Sequence, residues 1–146
     1  MDETLTRTLL EQSPDAVIFA GTDGVIQVWN ASAERIFGHT ADEAVGQSLD
    51  LIVPERFREA HWTGYDRALA AGETKYAGQA LPTRSQRKDG TTIYVELTFA
   101  IVKDPGGQVI GALANARDIT ERFARERQQR EHVKELEEKL AAAETK

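Results

Sequence analysis

The chain has 146 residues, 40% of them hydrophobic and 29% charged, with a net charge of −6, enough for one core of ordinary size plus an appendage. The −6 lies entirely within residues 1–120, residues 121–146 carrying equal numbers of acids and bases, so no face is dominated by positive charge and no nucleic-acid partner is expected. Cysteine is absent, which excludes disulfides, thiolate metal sites and a cysteine nucleophile. No apolar run approaches the ~20 residues that span a bilayer, and the first residues lack a signal-peptide layout, so a soluble cytoplasmic protein with no membrane partner is expected.

In chain order, leucines at 5, 9 and 10 predict a short amphipathic helix over residues 3–12, and Ser13-Pro14-Asp15 breaks it. Ala16 to Ala20 is a compact apolar run, Thr22-Asp23-Gly24 a turn, and Val25 to Trp29 the second strand of a hairpin. Asn30 can cap a short helix through Phe37, which Gly38 stops. Thr40 and Glu43 form a capping-box pattern for a second short helix ending at Gly46. Leu49 to Val53 is irregular. A helix is then predicted from about Pro54 to Ala71, with Phe57, His61, Tyr65, Ala68 and Leu69 on one stripe.

The remainder reads as β. Residues 75–87 predict a strand bent around Pro82, and Lys88-Asp89-Gly90 a hairpin turn. From Thr91 to Val102, Ile93, Val95, Leu97, Phe99 and Ile101 alternate with Tyr94, Glu96 and Thr98, the signature of a sheet with one buried face. Asp104 opens a second turn, and Gln108 to Ala116 is the last strand. Two strands, several short helices, three strands and a helix predict an α+β fold, a five-stranded antiparallel sheet with its helices on one face. From about residue 119 the chain is helical, without Gly or Pro. Val133, Leu136, Leu140 and Ala143 follow the spacing of a short coiled-coil seam. Gln129, Glu126 and Arg122 continue that seam backward, so its middle is polar. The expected division is a helical cap at 1–12, a domain at 13–120 and a dimerisation helix at 121–146.

Several segments together resemble the PAS fold. They are Pro14-Asp15-Ala16-Val17, Gly24 to Asn30 with Ala33 to Gly38, Ala44 to Ser48, Arg87 to Thr91, and Arg117-Asp118-Ile119-Thr120-Glu121-Arg122. Each is weak alone; the five occur in the family's order across roughly residues 10–122. The resemblance implies a sensory and dimerisation module rather than an enzyme, with Asp118 and Thr120 coupling the last strand to the exit helix. Without a thiol the cysteinyl-flavin chemistry of LOV relatives is excluded. A local reading of Asp118 as a helix N-cap stands beside the relay role.

Within that family, Val53-Pro54-Glu55-Arg56-Phe57-Arg58-Glu59-Ala60-His61 resembles the helix of FixL-type heme oxygen sensors, whose proximal histidine stands seven residues after such a proline. This implies heme b, with His61 as the ligand of heme iron. In the same register the oxygen-binding arginine of those sensors falls on Leu81, and the iron-ligating methionine of the direct oxygen sensors on Gln79. Tyr76, Leu97 and Phe99 take the places of other cofactor-wall residues, and Gln79, Asn115 or Tyr76 would have to replace the missing distal donor. Heme, another small molecule and an empty pocket filled by Phe99, Tyr76, Trp62 and Leu97 all stay open on the sequence, since many PAS domains carry a histidine at this point of a similar helix.

Three functions follow. The first is a sensor that relays pocket occupancy through the C-terminal helix of a homodimer, held by Val133, Leu136 and Leu140, to a downstream protein or output domain. The second is a ligand-free dimerisation module. The third is the input fragment of a histidine kinase or similar receptor; His132 fits no phosphoacceptor box well, and no phosphate-binding loop or nucleophile–base pair is present. His39 is expected in a solvated loop.

Overall fold

The structure is a computed structural model and describes residues 1–74 and 79–144. Its strands are β1 (Ala16–Gly21), β2 (Ile26–Trp29), β3 (Leu81–Gln86), β4 (Thr92–Lys103) and β5 (Val109–Asp118). They form one antiparallel five-stranded sheet in the order β2-β1-β5-β4-β3. The first and last strands therefore pair at the centre. The helices are α1 (Glu3–Gln12), α2 (Ala31–Phe37), α3 (Ala41–Ala44), α4 (Arg58–Ala71) and α5 (Thr120–Glu144), with 3₁₀ turns at Leu49–Leu51 and Glu55–Phe57. This is the expected α+β architecture, with short helices on one face of the sheet and a long helix leaving its last strand.

Alternation sets the two faces of the sheet. Leu97, Phe99 and Ile101 stand opposite Ala116, Ala114 and Ala112, and those alanines stand opposite Ala16, Ile18 and Ala20. α2 closes part of this face with Ala33, Ile36 and Phe37. The Phe37 ring packs 5.5 Å from that of Trp29 and is wholly buried, a burial that contributes about 1.5–3 kcal/mol.

Asn30 organises the corner where α1, β1 and α2 meet. Its Oδ1 accepts from Val17 N at 2.9 Å and Ala33 N at 3.0 Å. Its Nδ2 donates to Leu10 O at 2.7 Å and Asp15 O at 3.1 Å. All four hydrogen-bonding positions of the amide are thus used in a residue only 1% exposed. The expected cap of α2 is there, and the same side chain also pins the end of α1. Gly38, at φ 84°, ends α2 in the left-handed region.

The capping box of Thr40 and Glu43 forms as expected. The carboxylate of Glu43 also accepts from Lys88 Nζ, while Lys88 N donates to Phe37 O at 2.9 Å. The β3–β4 turn is thereby tied to the α2–α3 corner. The hydrogen bond from Lys88, followed by those from Thr40, pulls the Glu43 carboxyl down to about 2.

Some expectations are corrected. The helix expected from Pro54 starts at Arg58, because Pro54 is extended (ψ 140°) and residues 55–57 form a 3₁₀ turn. Arg58 holds that turn through Nε to Val53 O at 3.0 Å and Nη2 to Asp50 O at 3.3 Å. Phe57 consequently leaves the buried stripe and is 37% exposed. β3 begins at Leu81; the expected strand residues 75–78 lie outside the described residues. His39 is half-buried rather than solvated, its ring edge-on to Trp29 at 6.4 Å. None of the described helices is long and apolar enough to cross a membrane.

Candidate functional site

α4 lies across the inward face of the sheet, yet Tyr65 is the one buried residue among its 14. Much of the space beneath it is empty. A cavity of about 590 Å³ is lined by His61, Tyr65 and Ala68 of α4, Phe99 and Ile101 of β4, and Ala112 of β5, with Arg67, Glu73 and Thr74 also in its wall. That volume falls in the roughly 300–1,000 Å³ range of small-molecule sites. Part of its wall is legible in β5, where the inward positions 112, 114 and 116 are alanine and Ala112 borders the cavity. Small side chains under a helix leave room that valine or leucine would fill.

His61 presents its ring to this cavity. It packs edge-on to Trp62 at 4.7 Å and tilted against Tyr65 at 5.8 Å. Its Nδ1 is buried with no hydrogen-bond partner among the described residues. Burial pushes the imidazole pKa below its ordinary value, against the opposing charge of Asp50. Burial thus favours the neutral ring, the form that ligates metals.

Two aromatic neighbours fix the helix that carries it. Tyr65 donates its hydroxyl to Gly21 O at 2.6 Å, and burial, followed by the charges of Asp23 and Asp66, raises its pKa to about 12. Trp62 turns away from the cavity and donates Nε1 to Asp50 Oδ1 at 2.8 Å. Its indole lies against Gly24, where a Cβ would come within 2.3 Å of the ring and where φ is +75°. Glycine is required there for the close approach and for the backbone alike. Trp62 thus braces the β1–β2 turn and does not fill the pocket.

The predicted site residues divide accordingly. His61 and Phe99 meet across the cavity. Leu97 packs into the core beside it, with Leu81 opposite on β3, facing the same side. Gln79 is exposed. Asn115 is corrected as a pocket candidate: it pairs with Thr98 and Val17, one residue out of phase with Ala114 and Ala116, and so faces the other side of the sheet. Tyr76 lies outside the described residues. Ala112 and Arg67 were not expected. The small-residue alternation of β5 could have indicated the first; Arg67, six residues after His61, lies about 120° round the helix from it, so no helical stripe points to the second.

The donor set has a definite chemistry. No group of three His, Cys, Asp or Glu residues gathers anywhere among the described residues, so a bare ion would lack ligands. A metal that brings its own macrocycle asks the protein for as little as one axial imidazole and an apolar slot. His61, Phe99, Ile101 and Ala112 fit that requirement.

Where β5 ends, Asp118 and Thr120 couple it to α5. Asp118 Oδ1 accepts from Thr120 N at 2.9 Å and from Thr120 Oγ1 at 2.6 Å. Thr120 Oγ1 accepts from Tyr94 N at 3.0 Å, and Ile119 N donates to Tyr94 O at 2.8 Å. These hydrogen bonds join the end of β5 and Tyr94 of β4 to the first residue of α5. Arg122 adds an ion pair to Glu96 of β4 at 2.7 Å. Beyond this junction Val133, Leu136 and Leu140 are 47%, 51% and 62% exposed, and His132 is exposed as well.

A model of the PAS fold matches residues 10–124. The chain is 33% identical over 128 residues to an uncharacterized protein of Azorhizobium caulinodans, covering 87% of this chain and 17% of that one. It is 31% identical over 119 residues to the sensor protein FixL of Bradyrhizobium diazoefficiens, covering 82% and 23%. With the oxygen sensor protein DosP of Escherichia coli the identity is 25% over 124 residues, covering 85% and 15%. The chain thus spans less than a quarter of the length of each of these relatives. Among solved structures, the PAS domain of a Colwellia psychrerythraea protein superposes with a TM-score of 0.70 at 23% identity, covering 81% of this chain and 97% of that one. An RNA-binding light-oxygen-voltage receptor superposes at 0.67 with 25% identity, covering 92% and 37%.

Proposed function

We propose that this chain, which belongs to the PAS fold family, is a sensory module whose cavity holds heme on His61 and whose α5 carries the signal outward. The observation that carries the reading is an imidazole with an unpartnered buried nitrogen in the wall of a large, mainly apolar cavity. Its kinship to a sensor protein and an oxygen sensor supports the same reading. Among the described residues the cavity is not filled by Phe99, Leu97 or Trp62, which favours this reading over a ligand-free dimerisation module.

In this reading His61 would hold the heme iron, and Phe99, Ile101 and Ala112 would line the cavity around the group. Arg67 stands in the cavity wall as a cation for a carboxylate of the ligand. Heme, when bound, supplies an iron centre at which a diatomic gas binds. The chain's own residues do the rest. Phe99 and Ile101 belong to β4, which also carries Tyr94, and Ala112 to β5, which ends at Asp118. A shift of the cavity wall therefore reaches the hydrogen bonds of Asp118, Thr120 and Tyr94 along two continuous strands. A ligand acts on α5 only through its unequal affinity for two positions of that wall.

The working division is a cap at 1–12, a sensor domain at 13–120 and a signalling helix at 121–146, in the cytoplasm. The chain has no catalytic role of its own, and its output lies in a partner or in further domains of a longer protein, as the length of its relatives suggests. The exposed Val133, Leu136 and Leu140 point to a second copy of the chain as the partner of α5. Leu136→Glu is expected to convert a dimer into a monomer in light scattering.

The deciding measurement is an absorption spectrum before and after adding hemin. A Soret band that appears in the parent protein and is lost in His61→Ala is expected. No band, or a band indifferent to His61→Ala, removes heme on His61 and leaves the cavity to another small molecule.

A further inference from the structure

Phe57 is a large apolar side chain at the surface, and its neighbours are cations. The guanidinium carbon of Arg56 lies 4.7 Å from the ring centroid, and that of Arg84 lies 5.7 Å from it. Arg84 is on β3, the edge strand, where it stands opposite Tyr94 of β4. The same guanidinium lies 5.5 Å from the Tyr94 ring. Tyr94 in turn stacks on Phe123 of α5, with centroids 4.1 Å apart and planes 13° apart. All of these separations are within the ~6 Å over which a cation is held by a ring face or within the range of aromatic pairing.

Phe57, Arg84, Tyr94 and Phe123 form a continuous series from the turn before α4 to the first turn of α5. Phe57 is one helical turn ahead of His61. Phe123 belongs to the turn whose amide donates to Ile119 O at 2.7 Å. Arg84 has no carboxylate partner among the described residues, so the two rings are its polar environment. A planar guanidinium can sit against two ring faces at once, and it bridges segments that have no ring contact of their own.

We propose that Arg84 is a positioning residue that ties the start of α4 to the start of α5 around the outer edge of the sheet, a route separate from the Asp118–Thr120 junction. The purpose given to that route, reporting a movement of the His61 helix to the exit helix, rests on the sensory reading above. The linkage itself is a property of the ligand-free chain. A displacement of Phe57 changes how Arg84 sits on Tyr94, and Tyr94 is the residue on which α5 is both stacked and hydrogen-bonded.

The test is amide hydrogen exchange at Phe123 in the ligand-free, full chain, read by NMR in a two-by-two set of variants. Phe57→Leu keeps an apolar side chain but removes the ring, and Arg84→Met keeps length but removes the cation. Both sites are exposed, and urea midpoints establish that global stability is matched. Phe57→Leu is expected to speed exchange at Phe123 about two- to fivefold when Arg84 is present. In the Arg84→Met background it should change nothing, and Arg84→Lys should restore part of the dependence. An effect of Phe57→Leu that is absent, or equal in both backgrounds, overturns the proposal. Because no ligand enters the assay, a failure of heme to bind would sink the sensory reading while leaving this result standing.

Discussion

Asn30 and His61 are both polar side chains set against the core, and they are treated in opposite ways. Asn30 sits at the corner of α1, β1 and α2 with all four hydrogen-bonding positions filled. His61 sits on α4 with its buried Nδ1 unpartnered. Their surroundings differ in the same sense. α2 buries four of its seven residues, whereas α4 buries one of 14. A satisfied polar group inside a packed corner holds the fold together. An unsatisfied one beside an open cavity costs stability.

That contrast can be broken at its strong end first. Phe37→Ala removes a wholly buried ring from the packed corner, and a loss of about 3–5 kcal/mol in urea unfolding is expected. A loss under ~1 kcal/mol would mean that the corner is not the rigid frame inferred here. Asn30→Ala leaves two backbone amides and two carbonyls without their partner, at an expected cost of about 2–3 kcal/mol.

His61→Leu should have the opposite sign. It removes an unpaired buried nitrogen, so the ligand-free protein should gain about 1 kcal/mol, seen as a melting temperature higher by roughly 3–6 °C. Destabilisation by His61→Leu would show that the imidazole is a structural group after all.

The smallest expected effect separates the surface tie from both. Glu43 is held below its ordinary carboxyl value by Lys88 and Thr40. A depressed folded-state pKa contributes stability that is present above the unfolded value and lost as pH falls through the folded value, here about 2. Lys88→Met should move the Glu43 midpoint toward the ordinary carboxyl range, as read by NMR titration, and bring the acid loss of stability to higher pH. An unchanged midpoint would assign the shift to the capping box alone.

Local order was legible in the residues because short-range physics sets it. Alternation from Ile93 to Ile101, the Asn30 cap, the Thr40–Glu43 box and Gly38 each rest on spacing of a few positions, and each forms as read. The helix beginning at Pro54 was misjudged by four residues because its start depends on Arg58 reaching back to Val53 and Asp50, contacts that no periodicity encodes. His61 could be singled out from the chain itself, on a helix stripe and in a family-like context.

What surrounds His61 was decided only in three dimensions. Whether its Nδ1 finds a partner depends on groups distant in sequence. Asn115 was placed on the wrong side of the sheet because face is set by the pairing of β5 with β1 and β4, across as many as 98 positions for Val17 and Asn115. The sequence alone determined the order and type of the elements and placed His61 on the inward stripe of α4. The tertiary structure decided that Ala112 and the rings of Tyr65 and Phe99 border a cavity beside it, and that the Arg84 guanidinium lies 5.7 Å from the Phe57 ring and 5.5 Å from the Tyr94 ring, residues far apart in the chain. Packing across the sheet is a sum over non-local contacts, and only the folded register says which side chains take part.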